Sequence, residues 1–136
     1  MYLLDTNVWL ERLLDQTKSE EVGILLNHIS SEHLFITDFA FHSIGVVLSK
    51  LNKMNTLLQF VQDAFMDSAV SLIHLRPEDM HLVALARERF NLDFDDAYQY
   101  VAAEKYTLTL VSFDADFDLT DRGKKTPGEI RGKVDI

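Results

Sequence analysis

Carboxylates are the reactive groups this sequence has in greatest supply, and they are unevenly spread. Between Asn91 and Asp118 the chain carries seven of them: Asp93, Asp95, Asp96, Glu104, Asp114, Asp116 and Asp118. They fall around two elements, a short amphipathic helix opening at Asp95-Asp96 and an apolar strand from Leu108 to Val111. That strand is followed at once by Ser112-Phe113-Asp114-Ala115-Asp116. Acids at a helix start and just past a strand end suit a hard divalent cation. Mg²⁺ binds oxygen ligands, usually taking one or two carboxylates directly and keeping water for the rest. Two further acids stand in comparable places, Asp5 after the apolar run Met1–Leu4 and Asp38 after Leu34–Thr37.

Each of these acids also has a plain structural use. Asp5 can close an Asx-turn with Thr6-Asn7, and Asp38 suits the cap of the helix that follows it, which is the preferred reading there. One carboxylate suffices to cap a helix, so the pair Asp95-Asp96 leaves one acid unexplained. Asp118 reads as part of a solvated turn. Two carboxylates about 4 Å apart repel by roughly 4 kcal/mol at an effective dielectric near 20. Three that converge need a cation or a raised pKa. The expectation is that Asp5, Asp96 and Asp114 share one Mg²⁺ or Mn²⁺ ion.

The elements that must bring these residues together can be read from apolar spacing. Short apolar runs predict strands at Met1–Leu4, Leu34–Thr37, Ser71–Leu75 and Leu108–Val111. Helical spacing predicts helices over Val8–Leu14, over Ser19–Ile29 with Ser19 as its cap, and from Asp38 with Phe41, Ile44, Leu48 and Leu51 inward. Further helices are expected over Thr56–Asp67, from Arg76-Pro77 onward with Leu82, Val83, Leu85, Ala86 and Phe90 packed, and over Asp95–Lys105. Gly123 to Pro127 reads as a turn, with an edge strand or a frayed end after it. Strands alternating with helices define an α/β fold, a three-layer sandwich with a mostly parallel sheet and helices on both faces. In such sheets ligands bind beyond the carboxyl ends of the strands, which is where the strand-end acids lie.

Composition narrows the rest. The 136 residues form one domain, 1–136, of ordinary globular make-up. No apolar run approaches the ~18 residues of a membrane span, and the N-terminus lacks a basic, cleavable leader. The absence of cysteine excludes disulfides and thiolate metal sites and fits a cytoplasmic location. A net charge of −9 is opposite to the basic surface that usually meets phosphate. A nucleic-acid contact here would be local, or helped by a basic partner. The run Asp114-Ala115-Asp116-Phe117-Asp118 imitates a calcium loop, but Leu119 stands where the loop requires Gly and Lys125 where it requires Glu. No HExxH, GxGxxG, GxSxG or phosphate loop is present. A phospho-accepting receiver domain would need paired acids after its first strand and a lysine after its last, and Asp5-Thr6-Asn7 and Ser112-Phe113 supply neither.

A strand followed by DTN, a strand followed by a Thr-started helix, the helix start DDA, and LVSFDADF together resemble the PIN-domain ribonucleases, in particular VapC-type toxins. The resemblance runs from Met1 to about Phe117. It implies that Asp5, Asp96 and Asp114 are catalytic metal ligands and that Asp116 is a neighbouring candidate ligand. It further implies Mg²⁺ or Mn²⁺, hydrolysis of RNA phosphodiesters, a homodimer, and an antitoxin that blocks the site. There is one departure. The family's Glu in the helix after the second strand falls at Ser43, a weak neutral ligand. The leading reading is therefore a metal-dependent ribonuclease, and the alternative is a catalytically weak or inactive PIN-like module that acts through protein binding.

Overall fold

The computed structural model describes residues 1–134, so Ile136, the end of the expected domain, lies just outside the described residues. Four parallel strands form the sheet: β1 (Tyr2–Leu4), β2 (Leu34–Thr37), β3 (Ser71–Ile73) and β4 (Thr109–Val111), in the order β3-β2-β1-β4. The strand order reverses at β1, because β2 and β3 lie on one side of it and β4 on the other. Alternation along the strands feeds two separate cores. Leu3, Ile73 and Leu110 join one, while Leu4, Leu34, Ile36 and Val111 join the other.

The first core is closed by α5 (Met80–Phe90) and α6 (Phe94–Lys105), through Val83, Ala86, Ala97, Val101 and Ala102. The second is closed by α1 (Thr6–Leu13), α2 (Ser19–His28), α3 (Asp38–Lys50), α4 (Met54–Val61) and α7 (Pro127–Val134), with Val8, Trp9, Leu25, Ile44 and Phe60 at its centre. Helices thus cover both faces, as the α/β reading requires.

Local differences from the sequence reading have physical causes. Ser19 does not cap α2; it is buried, and its hydroxyl and carbonyl oxygens both accept from the Arg12 guanidinium at 3.2 Å. The helix expected to run to Asp67 ends at Val61 and continues as one π turn, Gln62–Met66. Leu51, Leu82 and Leu85 are not packed inward but are 49%, 37% and 57% exposed. After the turn, Pro127 opens α7, where an edge strand or frayed end was expected, held to α2 by the Gly128 N–H donating to Glu21; the last two residues lie outside the described residues. Among the described residues, Lys125 bridges the outer edge of β4, opposite Val111.

A candidate metal centre at the carboxyl edge of the sheet

The reversal of strand order opens a crevice between the carboxyl ends of β1 and β4, the place where open parallel sheets bind ligands. β1 delivers Asp5 to it as the N-cap of α1. The Asp5 N–H donates to the Val111 carbonyl at 2.9 Å, which ties the end of β1 to the end of β4. Asn91, left-handed at φ 55°, stops α5, and the short loop after it starts α6 with Asp93 as cap, accepting from the Asp96 N–H at 2.9 Å. Asp95 and Asp96 are therefore both free of capping duty. β4 leads into a 3₁₀ turn, Ala115–Leu119, capped by Asp114, which accepts from the Asp116 N–H at 2.8 Å.

These segments line one cavity of about 340 Å³ with Asp5, Asp93, Asp95, Asp96, Asp114 and Asp116, together with Ser43, and no basic side chain is among its lining residues. Among the described residues, carboxylate oxygens of Asp96, Asp114 and Asp116 lie within 4.8 Å of one another. Burial and the negative charges of Asp93, Asp114, Asp5 and Asp116 push the Asp96 carboxyl up to about 7. Such a cluster of hard, mutually repelling oxygen donors fits a divalent cation.

Asp5 lies in the same cavity but is held differently. It is 6% exposed, and three donors reach it: the Thr6 N–H (2.8 Å) and Gln99 Nε2 (3.0 Å) at Oδ1, and the Ser112 hydroxyl (2.8 Å) at Oδ2. Burial raises its pKa and Asp114 adds to that, while Gln99, Ser112 and Thr6 pull it down. The senses of these bonds are fixed by their outer partners. Ser112 Oγ already accepts from Asn7 Nδ2 and the Asp114 N–H, so its own hydrogen goes to Asp5. Thr37 Oγ1 accepts from the Ala40 N–H and donates to Gln99 Oε1 at 2.6 Å, which turns the Gln99 NH₂ toward Asp5.

Asp38 does not join the cavity. Thr37 takes the cap of α3, and Asp38 Oδ1 instead accepts from the Phe39 N–H and from the Tyr98 hydroxyl, both at 2.8 Å. Asp118 is on the surface, paired with Lys124 at 3.2 Å. Gln99 is not singled out from the sequence, and Thr37, Asn7 and Ser112 read there as a helix start and as parts of motifs, not as partners of Asp5. A signal existed for Gln99: an amide inside the otherwise apolar or aromatic stretch Ala97–Ala103, which cannot be buried without partners.

The model of the PIN domain family matches residues 2–123, and the chain belongs to that family. Among solved structures it is similar to a toxin–antitoxin complex from Klebsiella pneumoniae, with 16% identity, a TM-score of 0.75, and 93% of this chain and 98% of the other covered. It is also similar to FitAcB from Neisseria gonorrhoeae, with 21% identity, a TM-score of 0.72, and 93% and 98% covered. A third likeness is to Mycobacterium tuberculosis VapC20, a sarcin-ricin loop cleaving toxin, with 14% identity, a TM-score of 0.71, and 90% and 96% covered. At these identities the likeness shows the fold. A search of curated protein sequences finds no significant match.

Proposed function

We propose that the chain, as a single PIN-like domain, is a Mg²⁺- or Mn²⁺-dependent endoribonuclease. Its cellular role in this reading is that of the toxin of a VapBC-type pair in the cytoplasm. The observation that carries it is the meeting of Asp96, Asp114 and Asp116 within 4.8 Å of one another, beside Asp5 in a cavity without a basic lining residue. Asp96, Asp114 and Asp116 hold the cation, and Asp5 completes the site. When bound, the cation supplies Lewis-acid charge for a phosphodiester oxygen and lowers the pKa of water. With its carboxyl pushed up to about 7, Asp96 is about half protonated at neutral pH, which lessens repulsion among the acids until a cation binds. The sarcin-ricin loop cleaving toxin and the toxin–antitoxin complex among the similar structures support RNA as substrate and an antitoxin as partner. A homodimer, implied by the family likeness, belongs to this reading. No helix among the described residues is long and apolar enough to cross a membrane.

A second reading is favoured by Ser43. Its half-buried side chain lines the same cavity, so a glutamate there would have met the cluster, and the serine leaves that side without charge. In this reading the protein is a weak or inactive PIN-like module that works by binding a partner. One experiment separates the two. Single-stranded and structured RNAs are incubated with Mn²⁺ and the wild type, Asp5→Ala or Ser43→Glu. Cleavage by the wild type that is lost in EDTA and in Asp5→Ala supports the nuclease. Cleavage by Ser43→Glu alone supports the binding module, and cleavage that persists in EDTA overturns the metal-dependent reading.

A further inference from the structure

We infer that Gln99 is a positioning residue of the site: it takes one oxygen of Asp5 out of service and presents the other, Oδ2, to whatever occupies the cavity. The inference rests on the metallonuclease reading above. A carboxylate offers about four lone-pair directions, two on each oxygen. Oδ1 has both filled, by the Thr6 N–H and by Gln99 Nε2. Among the described residues Oδ2 accepts from Ser112 alone, which leaves it one open direction. Without the Gln99 bond both oxygens would have room, and the carboxylate could rotate between one-point and two-point contact.

Gln99 is placed to do this and little else. It is 1% exposed in the middle of α6, where an aliphatic side chain would satisfy the packing. Both ends of its amide are used, one on Asp5 and one on the Thr37 hydroxyl, itself 0% exposed. The hydroxyl is in turn oriented by the Ala40 N–H. A chain of oriented hydrogen bonds therefore runs from the first turn of α3, through Thr37 and Gln99, to Asp5. Outer partners of this kind fix the orientation of a ligand and weigh heavily in cation affinity.

The test uses the full chain and Mn²⁺ alone as probe, in wild type, Gln99→Met, Thr37→Val and Thr37→Ser, with folding followed by circular dichroism. Calorimetry is expected to show Mn²⁺ affinity about tenfold weaker in Gln99→Met and in Thr37→Val, within the range for second partners of metal ligands. Thr37→Ser keeps the hydroxyl and is expected to restore what Thr37→Val loses. In RNA cleavage, kcat is expected to fall with KM changed by less than about twofold, the pattern of misplaced reacting groups rather than lost substrate contact. Should Gln99→Met not fold, Thr37→Val carries the test. A folded Gln99→Met or Thr37→Val with wild-type Mn²⁺ affinity overturns the inference while leaving the nuclease reading intact. A wild type that binds no Mn²⁺ overturns both.

Discussion

The Ser112 hydroxyl donates to Asp5 Oδ2 at 2.8 Å across the crevice between β4 and β1, joining residues 107 positions apart. Ser112 Oγ itself accepts from Asn7 Nδ2 and from the Asp114 N–H, so one buried hydroxyl holds the ends of both strands and the cap of α1 in register. Replacing Ser112 with alanine leaves a buried carboxylate short of a donor. A hydrogen bond to a charged group is worth about 1.5–3 kcal/mol, and Ser112→Ala is expected to lower stability by about that much. Urea denaturation of the metal-free protein at neutral pH checks this, and a loss below the error of the fit would refute it.

The raised pKa of Asp96 sets a pH dependence whose sign can be worked out. Its carboxyl titrates near 3.8 when unperturbed and at about 7 in the fold. Between those values the folded state holds a proton that the unfolded state has released. The contribution to stability is therefore intact below pH 4 and is lost as pH rises through 7. Because Asp96 is part-solvated, the loss is discounted to about 1–2 kcal/mol. Metal-free wild type is expected to melt lower at pH 8 than at pH 5, and Asp96→Asn to flatten that difference. A profile that is the same in both proteins would show that Asp96 is ionised throughout.

Asp93 plays two opposed parts, capping α6 and raising the pKa of Asp96 by its charge. Loss of a cap costs roughly 1 kcal/mol, and relief of repulsion returns some of it once Asp96 is ionised. Asp93→Ala is therefore expected to destabilise the metal-free protein more at pH 5 than at pH 8. Melting curves at the two values decide it.

Ser43→Glu places a further carboxylate among the residues lining the cavity. Without metal it adds repulsion of a few kcal/mol at most, by Coulomb's law at an effective dielectric near 20. Saturating Mn²⁺ should reverse the sign, because ligand binding to the folded state stabilises by mass action. The expected outcome is a variant that melts below wild type in EDTA and gains more than wild type from Mn²⁺. Equal gains would place the side chain out of reach of the ion.

The sheet was legible because apolar runs of three or four residues between helical spacings leave few other options. Leu34–Thr37 is a strand with the expected limits, and Asp5, Asp96, Asp114 and Asp116 do line one cavity. Less legible was which way a helix faces. Leu82, Val83, Leu85 and Ala86 were all expected inward, yet α5 buries Val83 and Ala86 and leaves the two leucines exposed. Asp38 shows the same limit at the site: one residue past the cap, its carboxylate turns to Tyr98 rather than to the crevice. The polar partners of Asp5 come from three different segments, and no local pattern pairs Gln99 with Thr37 across 62 positions. Such pairings follow from tertiary packing, which spacing along the chain does not encode.

β4 inserts beside β1 only after some hundred residues of intervening chain, so the two banks of the crevice come from segments far apart in sequence. A chain made only through β1 holds Asp5 but lacks Ser112, Asp114 and Asp116, which follow some hundred residues later. Pairing so distant in sequence is also slow to form, since the entropy of closing the long loop must be overcome first. For the ribonuclease proposed above, the order of the strands means that the site is not assembled until β4 and the turn after it have been made.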